Sequence, residues 1–135
     1  MIVAGSNFGD PATPDQIERL RSSLPALTPL DYLDFFRRAD GAQVWFDDAD
    51  RSDFDCLRIY SLATLDSIRA SLADLFPTLL VVGGDQGSQK LGYDMTATAP
   101  WPLVMHLPGY GSSPVAASFT ELVQRYLLPP GSSVP

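Results

Sequence analysis

Apolar residues recur along this chain in two periods, and the switches between them mark its elements. Behind Thr13-Pro14-Asp15-Gln16, the residues Ile17, Leu20 and Leu24 recur at helical spacing. A cap hydroxyl on Thr13, a proline at the first helical position and a glutamine placed to bond back to the cap predict a helix over 13–24. The same grammar at Thr28-Pro29-Leu30-Asp31 precedes Tyr32, Leu33, Phe36 and Ala39. It predicts a second helix over 28–40, closed where Gly41 can take a left-handed cap.

The period then changes. Gln43-Val44-Trp45-Phe46 and Phe54-Asp55-Cys56-Leu57-Arg58-Ile59-Tyr60 are rich in aromatic and β-branched residues and flank an acidic stretch, which predicts two strands joined by a polar loop. Ser61 caps a third helix whose Leu65, Ile68 and Leu72 share a face, and Pro77 ends it. Leu79 to Val82 reads as a buried strand, residues 83–88 as a turn, and 90–94 and 102–107 as further strands before the Gly109-Tyr110-Gly111 loop. Ser118-Phe119-Thr120-Glu121 is a capping box, and Phe119, Leu122, Val123, Tyr126 and Leu127 give an amphipathic helix over 118–128 that Pro129-Pro130 ends.

Helices alternating with strands joined by tight turns predict a single-domain α+β fold, a mostly antiparallel central sheet flanked by the N-terminal helices and the C-terminal one. Residues 1–12 carry Gly5, Gly9 and Pro11 with little periodicity and read as a loosely held arm, with a short strand at Ile2-Val3 at most. The domain is expected over 13–128, with a frayed tail over 129–135.

Charge narrows the partners. The formal net charge of −7 repels phosphate backbones and anionic lipid and attracts basic proteins, so neither nucleic acid nor membrane is expected as a partner. No apolar run approaches the roughly 20 residues that span a bilayer. The lone Cys56 can form no internal disulfide and no Cys/His zinc spacing, which fits a cytoplasmic setting.

A catalytic centre is hard to assemble from these residues. The single imidazole, His106, lies in the apolar setting Val104-Met105-His106-Leu107 with no nucleophile elbow, and reads as a strand residue that bonds locally. Gly83-Gly84-Asp85-Gln86-Gly87 lacks the Lys-Ser/Thr of a phosphate loop, and Gly5 to Gly9 fails the same test. In the run Asp47 to Asp55, Asp53 stands where a calcium loop needs glycine and Ile59 where it needs glutamate, so the run reads as a solvated hairpin tip. Trp45 is assigned mainly to the core. Trp101, in Ala99-Pro100-Trp101-Pro102, is open equally to surface recognition and to loop anchoring.

The order of these features resembles the SUKH superfamily, the Smi/Knr-type domain of fungal cell-wall regulators and bacterial toxin-immunity proteins. The resemblance starts at Pro14 to Leu20 and sharpens at Thr28 to Gly41, where Thr28 replaces a usual Leu and Asp40 a usual Asn. It continues through Leu57 to Leu62, Val81 to Gly87 and Ser118 to Leu122. What it implies is a non-enzymatic protein-binding domain with no cofactor and no metal. The expected role is an immunity protein that neutralises a cognate toxin, the alternative being a regulatory or scaffolding domain for an endogenous protein. Partner residues follow from surface chemistry instead: Asp47, Asp48, Asp50 and Asp53 as an acidic patch for a basic toxin domain, with Trp101 and Tyr110 as aromatic anchors.

Overall fold

The computed structural model describes residues 3–46, 56–85 and 87–127. Seven strands form one antiparallel sheet whose spatial order is the order of the sequence. They are β1 (Val3–Phe8), β2 (Ala42–Phe46), β3 (Cys56–Ile59), β4 (Leu79–Gly84), β5 (Lys90–Asp94), β6 (Leu103–Leu107) and β7 (Gly111–Ala116). The helices are α1 (Pro14–Ser23), α2 (Leu30–Phe35), α3 (Leu62–Leu75) and α4 (Phe119–Leu122), the last running into a π-helical segment, Val123–Leu127. The α+β expectation holds, with the sheet antiparallel throughout.

All helices pack on one face. Their buried residues Leu20, Tyr32, Phe35, Leu65, Phe119, Leu122 and Leu127 share one cluster with the inward strand residues Val44, Leu57, Val82, Leu91, Tyr93, Leu103 and Met105. Buried Cys56, Val81 and Val104 stand outside that cluster, because strand alternation turns them to the opposite face. At the centre Tyr32 meets Phe36, Tyr93 and Phe119 edge to face, with ring centroids 5.4, 6.1 and 5.2 Å away, an arrangement that aligns ring edges with ring faces.

Several expectations change in three dimensions. Thr13 caps α1 with its full capping box, the Gln16 amide lying 3.2 Å from the Thr13 hydroxyl and the Thr13 amide 2.8 Å from Gln16 Oε1. Thr28, by contrast, caps nothing: its hydroxyl donates back to the Pro25 carbonyl at 2.7 Å, and α2 starts behind Pro29. Nor does α2 run to residue 40. From Phe36 to Arg38 the backbone bonds tighten to three-residue spacing, so that the adjacent rings of Phe35 and Phe36 are both buried, which a straight amphipathic helix would not achieve. Gly41 does take a positive φ, +89°, but closes this turn instead of a helix.

The segment read as a loose arm is an edge strand. β1 pairs with β2, and the Gly9, Ala12 and Asp40 amides bond to the Gly41, Phe36 and Asp10 carbonyls at 3.1, 2.8 and 2.9 Å. Gly83 and Gly84, read as turn residues, end β4 instead, and Asp85 makes the turn by accepting from the Gly87 and Gln89 amides. β7, which sequence periodicity did not announce, is an edge strand whose Pro114 guards against further pairing. The final helix is split because Leu122, Val123 and Leu127 are all buried, and a wider turn brings them to the same side.

Two polar groups inside this fold give measurable consequences. The wholly buried Tyr93 hydroxyl has no hydrogen-bond partner among the described residues. Burial raises its pKa far above the ordinary phenol value, helped by the Asp31 carboxylate and Tyr32. Tyr93→Phe is therefore expected to stabilise the domain by about 1 kcal/mol in urea unfolding, since it removes a desolvated group that gains nothing in return. A loss of stability would mean that the hydroxyl is satisfied.

Asp40 Oδ1 accepts from the Leu62 amide at 2.8 Å, so a residue 22 positions away helps to cap α3. Ser61 caps the same helix through the Thr64 amide. Asp40→Ala should cost about 1–2 kcal/mol, and Asp40→Asn, which keeps the acceptor, should recover most of it. Equal losses in thermal melts of the two variants would show that the charge matters and the cap does not.

Candidate functional site

An antiparallel meander sends alternate connections to opposite ends of its sheet. The β2–β3, β4–β5 and β6–β7 connections therefore share one end. The acidic residues Asp47, Asp48, Asp50 and Asp53 lie outside the described residues, but their anchors, Phe46 and Cys56, sit at this end. Tyr110 occupies the tight β6–β7 turn at the same end, where its amide donates to the Leu107 carbonyl at 2.9 Å and Gly109 and Gly111 take φ of +85° and +91°. Those glycines are required because left-handed backbone is costly for other residues. The turn leaves Tyr110 86% exposed, the most open large hydrophobic residue among the described ones.

Trp101 enters from the other end, where the chain returns from β5 to β6 behind the cis Ala99–Pro100 bond. It is 7% exposed and belongs to the core cluster, so it has almost no surface to offer a partner, and of its two readings loop anchoring is the one observed. Trp45 does the opposite of what was expected. Ala42, Val44 and Phe46 point inward, so Trp45 between them points to the helix-free face and is 37% exposed. The alternation of β2 carried that signal; reading tryptophan by bulk alone missed it.

The imidazole has a local partner. His106 Nδ1 lies 2.9 Å from the Ser112 hydroxyl across the β6–β7 pair, and the ring meets Phe76 edge-on at 5.6 Å. A serine beside a histidine invites comparison with a hydrolytic triad. Asp94, which lines the same hollow as His106 and Ser112, stands four residues down β5 from Lys90, the cross-strand neighbour of His106. That separation is about 13 Å at strand rise. Asp94 is instead engaged by the Thr96 hydroxyl and amide, at 2.6 and 2.9 Å, which hold its pKa below the usual carboxylate range. Asp94 therefore does not orient His106.

Among the described residues no group of three or more His, Cys, Asp or Glu is placed to hold a metal ion, and no helix is long and apolar enough to cross a membrane. Cys56 is a buried thiol in no disulfide, and its sulfur accepts from Gln43 Nε2 at 3.7 Å. The concave features are modest. A polar hollow of about 320 Å³ lies between α1 and α3, lined by Arg19, Asp40, Asp66 and Arg69, and a more apolar one of about 220 Å³ lies under α3 beside Tyr32 and Leu80.

Comparison with protein-family models matches residues 11–125 to the SMI1 / KNR4 family (SUKH-1). The chain belongs to this family. The match takes in α1 to α4 and all strands but β1. A search of curated proteins found no match. SUKH-1 membership supports a protein-binding domain of the immunity or regulatory kind. It also gives the buried motif residues a structural meaning: Tyr32, Phe36 and Phe119 are the ring cluster on which the sheet rests.

Proposed function

We propose that this chain is an immunity protein that binds a cognate bacterial toxin domain in the cytoplasm and neutralises it by occlusion, without catalysis, metal or cofactor. The observation that carries this reading is the SUKH-1 match over residues 11–125. The net charge of −7 supports a basic partner, because complementary charge speeds encounter with a lethal target. The loop end of the sheet is the assigned contact surface: an acidic connection between Phe46 and Cys56 and an exposed aromatic, Tyr110, on a turn held by β6 and β7. A stable complex needs about 800 Å² from each partner, so neighbouring surface must contribute as well.

Co-producing the chain with the toxin domains encoded beside its gene tests the reading. Restored growth together with a stoichiometric complex in size-exclusion chromatography is the expected result. If none of those toxins is bound or silenced, the immunity role is wrong.

A further inference from the structure

The register of the sheet lines up one row of residues across all seven strands: Asn7 opposite Gln43, then Arg58, Gly84, Lys90, His106 and Ser112. Six interstrand steps make the row roughly 29 Å long. Alternation turns it to the face that no helix covers, the face of Trp45. Arg58 is exposed and Lys90, the only lysine in the chain, is half-buried. Neither has an ion-pair partner among the described residues, whose ion pairs join neighbours on single helices or turns. A protein of net charge −7 thus presents two unpaired cations and an imidazole in line.

Their centre is a buried glycine without a side chain of its own. Gly84 stands between Arg58 and Lys90, and a side chain there would meet the Gln89 carbonyl oxygen at 2.5 Å. The Tyr60 hydroxyl lies 3.5 Å from the position such a Cβ would take, which puts a hydrogen-bonding group over the glycine between the two cations. Asp40 shares a hollow with Arg58, but it accepts from the Leu62 amide and makes no ion pair with Arg58; Asp85 is held in its own turn and Asp94 by Thr96. With a Debye length of about 8 Å at physiological salt, an approaching group senses this local row more than the net charge of the molecule.

We propose that the helix-free face of the sheet is a docking surface for an acidic, extended segment of a protein partner, with Arg58, Tyr60 and Lys90 receiving its carboxylates and Trp45 packing against its apolar side chains. Charge complementarity selects this occupant. Guanidinium and ammonium flanking a hydroxyl suit carboxylates, and a strand-like segment of about nine residues spans the row. The inference rests on the protein-binding reading and adds a contact opposite in sign to the acidic loop, so that a partner with both basic and acidic surface is gripped from two sides.

The probe is a fluorescein-labelled dodecapeptide of alternating Glu and Val, with the Gln/Val peptide and a twelve-nucleotide thymidine oligomer as controls. The Glu/Val peptide should bind, shift amide resonances of Gln43, Arg58, Lys90 and His106, and lose at least tenfold in affinity when Arg58→Glu and Lys90→Glu are combined. Both side chains are solvent-accessible, so melting should be unchanged. No binding, equal binding of the Gln/Val peptide, shifts confined to the helical face, or an indifferent double variant would overturn the proposal, and tighter binding of the oligonucleotide would replace the acidic segment with a nucleic acid. If the wild-type chain holds its toxin and the double variant holds it equally well, this inference fails while the immunity reading stands; if the wild type binds no toxin, that reading fails on its own.

Discussion

Gly83→Ala is expected to destabilise the domain by about 3 kcal/mol, roughly a 10 °C fall in melting temperature. A Cβ at this position would overlap the Arg58 carbonyl oxygen of β3 and lie 3.0 Å from the Arg58 carbonyl carbon and 3.3 Å from the Ile59 Cα. These are backbone atoms, so no side-chain rotation relieves the contact. Separating the strands would give up the short ladder that joins β3 to β4, Arg58↔Gly84 and Ile59↔Gly83, together with the Tyr60 amide bond to Val82 just beyond. The site also adjoins the irregularity between Val81 and Gly83 where β4 shifts against β5. Gly109→Ala is the control. Its Cβ would meet nothing within 4 Å, but φ is +85°, so it should cost only about 1 kcal/mol. Chemical denaturation of the two variants decides the matter: if Gly83→Ala is the milder, β3 and β4 do not approach as described.

Replacing Asp47, Asp48, Asp50 and Asp53 together by Asn should slow association with a basic toxin domain by tenfold or more at low salt while leaving melting nearly unchanged. Four negative charges removed from one connection weaken the long-range attraction that steers encounter. The run reads from the sequence as a solvated hairpin tip, and solvated carboxylates add little to stability, which separates the two readouts. The deficit should shrink as salt rises. Tyr110→Ala, which truncates an exposed anchor, should act on the off-rate instead. Trp101→Ala, by contrast, is expected to cost about 3–5 kcal/mol of stability, because Trp101 is a core residue and not a surface one. Stopped-flow rates at two salt concentrations test the set, and an unchanged on-rate for the fourfold variant would remove the acidic loop from the interface.

Local chemistry alone determined much of this protein. The capping box at Thr13, the cap at Ser61, the strand character of Val44 to Phe46 and of Leu103 to Leu107, and the α+β class follow from residue order, because each depends on neighbours within one turn or on alternation along one strand. The acidic run and the absence of a nucleophile elbow were equally legible. Tertiary structure decided what depends on distant partners. The second helix stops at Phe35 because two adjacent rings must both be buried. Residues 3–8 become a strand because β2 offers an edge, and 111–116 become one because β6 does, although serine and proline give that segment no period of its own. Gly83 belongs to a strand because another backbone passes against it, and no sequence window contains that neighbour. The cation row is the extreme case. Arg58, Lys90 and His106 are spread over 49 positions of the chain, and only the register of four consecutive strands makes them one surface.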